Sequence, residues 1–189
     1  IKGNTNDPVL NKISSLVDSL ASKINKLLLV NEILNYKYNE SEVKLGEVFK
    51  EALAVISKIK GYEAVSIHLK VDDTFTIQSD KILLKHILVN VLDNAIIFRS
   101  KAEAYIHINI NLQDNFYLIE VEDNGEGIPE MQIPQVFERN YRGSIKSEGA
   151  GMGLFIVKKC MEILNGEVEI RSFPDKGTTV YLKLPHHWE

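Results

Sequence analysis

The sequence predicts an α+β domain led by one coiled-coil-like helix, on three observations. Ile13, Val17, Leu20, Ile24, Leu27 and Leu34 recur at alternating steps of four and three, a heptad seam whose one polar position is Asn31. Helical spacing returns in the stretch 45–59 and again from Ser79 to Phe98. Around these lie six short alternating or β-rich runs, at 65–71, 74–78, 104–112, 116–122, 167–172 and 178–184.

Each element has a local cause. The heptad stops at Tyr36-Lys37-Tyr38-Asn39-Glu40-Ser41, the natural hinge. A polar Asn in a seam fixes register or partner number, which suits one helix of a small bundle better than a helix packed only on its own domain. Leu45, Val48, Phe49, Ala52, Ile56 and Ile59 then share a face until Gly61. Ser79 is the expected N-cap of the long helix, which sets Asn90 and Asn94 four apart on one face. Gln113-Asp114-Asn115 reads as a hairpin turn, and a last helix is expected from Gly151 to Leu164, stopped by Asn165-Gly166.

Composition narrows the function. The 189 residues suit one domain with an appendage, and 44% apolar with 25% charged residues permits a buried core. A net charge of -4 without a Lys/Arg cluster argues against nucleic acid or an anionic membrane as the main partner. The single Cys160 suits a reduced helix position, and no apolar run approaches a bilayer span, so a soluble cytoplasmic domain is expected. The loop-like opening at Ile1 suggests a fragment whose sensor or anchor lies upstream.

Three clusters carry chemistry. An Asn94 side-chain oxygen is the kind of single protein ligand that Mg2+ accepts while keeping waters and substrate phosphates. Asp123-Asn124-Gly125-Glu126-Gly127-Ile128 puts an acid at a strand end, able to accept from an exocyclic amine, with glycines that admit a flat ring; an ordinary Asp-Asn-Gly turn is the alternative. Gly149-Ala150-Gly151-Met152-Gly153-Leu154 opens a helix, where backbone N–H groups meet phosphate. It follows a polar loop and lacks a Lys-Ser/Thr ending, so neither a Rossmann nor a Walker site fits.

In order, these pieces resemble the ATPase-kinase superfamily of gyrase, heat-shock chaperones, histidine kinases and mismatch-repair proteins, and most of all the sensor histidine kinases. The resemblance runs from about Ser14 to Pro185. Asn90 to Phe98 is similar to the asparagine box, Asp123 to Ile128 to the first glycine box, Phe137 to Gly143 to the phenylalanine box, Gly149 to Leu154 to the second glycine box, and Gly177-Thr178-Thr179 to the final Gly-Thr turn.

The resemblance implies a two-layer α/β sandwich (a Bergerat-type fold) on a mixed, mostly antiparallel sheet, with ATP under a lid spanning Arg139 to Glu148. It implies residues 1–40 as the second helix of a dimerisation stem with its hinge, and 41–189 as the ATP-binding catalytic domain. Asp123 would bind the adenine amine, Asn94 Mg2+, Asn90 the phosphate side, and Arg139 or Arg142 the terminal phosphate. Tyr141 would lie by the adenine, with Gly125, Gly127, Ile128, Gly149, Gly151, Met152, Gly153, Leu154 and Thr178 completing the nucleotide site.

The implied activity is transfer of the ATP γ-phosphoryl to a histidine on a stem helix, in a homodimeric parent that passes it to a response regulator receiver domain. Hydrolysing members of the superfamily carry a Glu where this chain has Asn90, and an amide is no general base, which favours transfer over hydrolysis. Ile97 stands where the family has a phosphate-contacting Lys, and Arg99 is the nearest substitute. Ile97 supports an alternative, a degenerate nucleotide- or partner-binding module; an anti-sigma-factor type serine kinase is a third reading, disfavoured by the stem. No histidine precedes His68, so the acceptor is expected on another segment.

Overall fold

The computed structural model describes residues 8–71, 75–100, 103–113, 115–143 and 151–186. The leading helix α1 (Pro8–Leu34) carries two apolar strips. The heptad seam Ile13, Val17, Leu20, Ile24 and Leu27 is exposed, whereas Val30 and Ile33 in the last turns are 2% and 3% exposed. α1 thus docks by its final turns and presents its seam outward.

Beyond the hinge come β1 (Ser41–Lys44), α2 (Leu45–Ile56), β2 (Val65–Lys70), β3 (Thr76–Ser79), α3 (Lys81–Ile97), β4 (Ala104–Gln113), β5 (Phe116–Asp123), α4 (Gly153–Ile163), β6 (Glu167–Phe173) and β7 (Gly177–Pro185). β1 and β3 form a small antiparallel ribbon, which the sequence pattern missed on its β1 side. The other five strands make a sheet ordered β2-β4-β5-β7-β6. Among the described residues only β2 and β4 pair in parallel, with His68 opposite His107.

The sheet alternates by face, as a half-covered sheet must. Ile106, Ile108, Ile119, Val121, Val180 and Leu182 are buried, while Tyr105, His107, Glu120, Tyr181 and Lys183 on the opposite face are only partly covered. The buried face lies in one core with Phe49 and Ala52 of α2, Leu84, Ile87, Leu88 and Val91 of α3, and Ile156, Val157 and Cys160 of α4. This is the expected two-layer α+β sandwich, with α3 contacting both α2 and α4. Burial pushes the Cys160 thiol up to about 12, which keeps it protonated and inert.

The cap of α3 corrects one expectation. Ser79 is still in the ribbon, paired with Ser41, and Asp80 is the N-cap. Its Oδ1 accepts from the N–H groups of Ile82 (2.9 Å) and Leu83 (3.1 Å), which a Ser one residue earlier cannot reach. The final helix also starts later than the glycine pattern suggests: α4 begins at Gly153, because Gly151 has φ 65.

Candidate functional site

Four segments distant in sequence enclose a cavity of about 210 Å³. α3 supplies Val91, Asn94, Ala95 and Phe98; the end of β5 and its loop supply Asp123, Glu126, Gly127 and Ile128. Tyr141, Arg142, Gly151, Gly153 and Leu154 line the side towards α4, and Ile170, Thr178 and Val180 come from the last hairpin. The lining is an apolar slot with Asp123 and Asn94 as its polar groups on β5 and α3.

Asp123 is held as an acceptor. The Gly125 N–H donates to its Oδ1 at 2.8 Å, and the Thr178 N–H also bonds the carboxylate. Burial outweighs both and pushes its pKa up to about 6 from an ordinary 3.8. Such a carboxylate is ionised at neutral pH and short of solvent, ready to take a donor from a ligand.

The loop after Asp123 is stitched to the two elements beside it. The Glu126 N–H donates to Phe98 O (2.9 Å) at the end of α3, the Asp175 N–H to Glu126 O (2.7 Å), and the Ile128 N–H to Ser172 Oγ (2.7 Å). Close approach of backbones explains the glycines. A methyl on Gly127, at φ 68, would strike Phe173 O, and one on Gly177, at φ 101, would strike Asp123 O. Asn124 has a structural role, since its Oδ1 accepts from Tyr105 N–H (2.9 Å) and its Nδ2 donates to Glu103 O (3.0 Å).

The two asparagines converge on the start of α4. A methyl on Gly153 would lie 3.4 Å from Asn90 Oδ1 and 3.6 Å from Asn94 Oδ1. Asn90 is buried behind the cavity wall with its Nδ2 donating to His86 O (2.8 Å), which leaves its oxygen facing Gly153. The first N–H groups of α4, which among the described residues receive no side-chain cap, lie beside these oxygens.

Other expected residues fall in different places. Arg142 lines the cavity, whereas Arg139 is exposed and does not. Met152 is buried in the core, and Gly149 lies outside the described residues, as does the second half of the expected lid, 144–148. Ile97 is absent from the lining, on the strip of α3 that continues Asn90. Arg99 is no substitute cation: its Nη1 donates to Ile96 O (2.8 Å) and its guanidinium packs on Gly61. The sequence pattern missed Gln132 and Val136, which border the cavity from a 3-10 turn at Glu130–Gln135 and from the residue just after it, a stretch with no periodicity to betray it.

Residues 79–187 match the family of histidine kinase-, DNA gyrase B- and HSP90-like ATPases. The chain is 30% identical to the alginate biosynthesis sensor protein KinB of Pseudomonas aeruginosa, over 94% of its own length and 31% of that protein's. It spans about a third of the length of the curated relatives it matches. Its fold is similar to that of a mycobacterial sensor histidine kinase, MprB (TM-score 0.69, 23% identity, 80% of this chain and 100% of that one). It is also similar to that of the Acinetobacter baumannii histidine kinase AdeS (TM-score 0.77, 17% identity, 97% and 87%). With these matches, and with the acid, the asparagines and the glycine loops framing one slot, the chain belongs to the histidine kinase-, DNA gyrase B- and HSP90-like ATPase family, as an ATP-binding catalytic domain of the sensor histidine kinase kind.

Proposed function

We propose that this domain holds ATP in the slot and passes its γ-phosphoryl to a histidine on a separate stem helix. The observation that carries the reading is the convergence of Asn90 and Asn94 on Gly153 at the start of α4. A row of helix N–H groups suits the phosphates of a triphosphate tail, the two amide oxygens suit the cation and waters that accompany it, and no carboxylate stands at position 90 to activate water. Asp123 would accept the adenine amine, Tyr141 and Ile128 would flank the base, and Arg142 is better placed than Arg139 for the terminal phosphate.

Asn94 fits Mg2+ as a lone protein ligand, since that ion keeps several waters and takes phosphate oxygens for the rest. Bound there, the ion would offset charge on the phosphates. The chain's own part is to hold the base at Asp123 and to orient the tail along α4, because positioning does most of the work in phosphoryl transfer.

The exposed seam of α1 supports the stem assignment of residues 1–40, with 41–189 as the catalytic unit and a homodimeric, cytoplasmic kinase region in the parent. A receiver domain would take the phosphoryl group onward. Incubation with labelled ATP and a histidine-bearing stem from the parent tests this: acid-labile label should appear on the stem and not on this chain. Label on one of the chain's own five histidines would overturn it.

A further inference from the structure

One hydroxyl outside the expected motifs ties the first glycine loop to the last hairpin. Ser172 on β6 is 5% exposed and sits opposite Thr178 in the β6–β7 ladder. Its Oγ accepts from the Ile128 N–H (2.7 Å), donates to Gly177 O (2.8 Å) and lies 2.8 Å from Thr178 Oγ1.

Proton accounting fixes the direction of the last contact. A serine hydroxyl has one proton, and the Gly177 carbonyl has none, so the Ser172 proton goes to Gly177 O. The contact with Thr178 then needs the Thr178 proton. That hydroxyl donates to Ser172 and has only lone pairs left for the cavity it lines. Its neighbour Asp123 is also an acceptor, held by the N–H groups of Gly125 and Thr178.

We propose that Ser172 is a specificity-determining positioning residue: by taking the Thr178 proton it makes this end of the slot accept only, which selects a 6-aminopurine over a 6-oxopurine. The inference rests on the reading that the base binds at Asp123. A 6-amino group brings two donors to this pair of acceptors, whereas a 6-oxo group sets an acceptor against them and keeps a single donor, the N1–H, so at least one buried oxygen loses its partner.

The test is calorimetric titration of the whole chain with ADP and with inosine diphosphate, both with Mg2+. Ser172→Ala frees the Thr178 proton, so the preference for ADP should shrink by about fivefold to tenfold, the scale of one buried hydrogen bond. Thr178→Val should lose the same preference, and adding Ser172→Ala to it should change the ratio little. Ser172→Thr keeps the hydroxyl and should keep the preference, so the claim stays testable if Ser172→Ala folds poorly. A merely structural role would weaken both nucleotides alike; an unchanged ratio in Ser172→Ala or Thr178→Val overturns the inference. Asp123→Asn separates the two levels, because undiminished ADP affinity there would sink the site reading itself.

Discussion

The Asp80 carboxylate accepts a hydrogen bond from the Asn39 backbone N–H at 2.9 Å, while its other oxygen caps α3. Tyr36 OH adds a longer bond to the same side chain (3.3 Å). One buried acid therefore joins the hinge after α1 to the start of the helix that carries Asn90 and Asn94. Burial first, and the bond to Asp80 second, push the Tyr36 phenol up to about 12, so the contact persists through the neutral range.

Removing that acid should loosen both ends at once. Asp80→Ala is expected to lower stability by about 2–4 kcal/mol, a lost cap plus buried N–H groups left without acceptors. Chemical denaturation checks the value. Asp80→Asn keeps one acceptor and should be milder; equal losses in the two variants would mean that the one oxygen an amide retains contributes nothing on its own.

Asp123 couples binding to pH. Its native pKa, about 6, lies above the ordinary 3.8, so the native state takes up a proton before the unfolded state does. The resulting stabilisation is fully present below 3.8 and lost as pH rises through about 6. Asp123→Asn should thus look better, relative to wild type, at about pH 7.5 than at about pH 4.5, by roughly 2 kcal/mol. Adenosine affinity should move the other way in wild type, falling as the carboxylate is protonated. Melting curves and adenosine titration at the two pH values check both signs.

Ile97→Lys places a cation on the strip of α3 that continues from Asn90. It should tighten ATP by about threefold to tenfold while leaving adenosine nearly unchanged, because the charge serves only phosphate. If both ligands gain equally, position 97 does not face the tail.

The two strips of α1 should respond differently to charge. Val30→Asp buries a carboxylate where only 2% is exposed and should unfold or strongly destabilise the chain. Leu20→Lys with Leu27→Lys, at 59% and 43% exposed, should leave the melting temperature almost unchanged and abolish whatever self-association sedimentation detects in wild type.

Much of this was legible because strong periods coincide with real elements. The seam from Ile13, the alternation from Val65 and the long apolar run around Asn90 each match α1, β2 and α3 within a few residues. The four-residue β1 is too short to show a period, and Ser79 misled because a good capping residue stands directly before a better one. Asp123, Asn94 and Gly153 were visible through their motifs. Ser172 was not, since a lone Ser in a strand carries no sign that three groups from other segments will meet its hydroxyl.

The parallel pairing of β2 with β4 has a kinetic consequence. α3 and β3 lie wholly inside the crossover between those strands, so their parallel edge can close only after the intervening chain has been wound into place. The β4–β5 hairpin, by contrast, needs only a tight local turn. Refolding should therefore proceed from the hairpin outward, with a transition state that already holds the asparagine helix against the sheet. The slot is then assembled in the same late, slow event that completes the sheet, and no long-lived intermediate exposes a finished site on an unfinished domain.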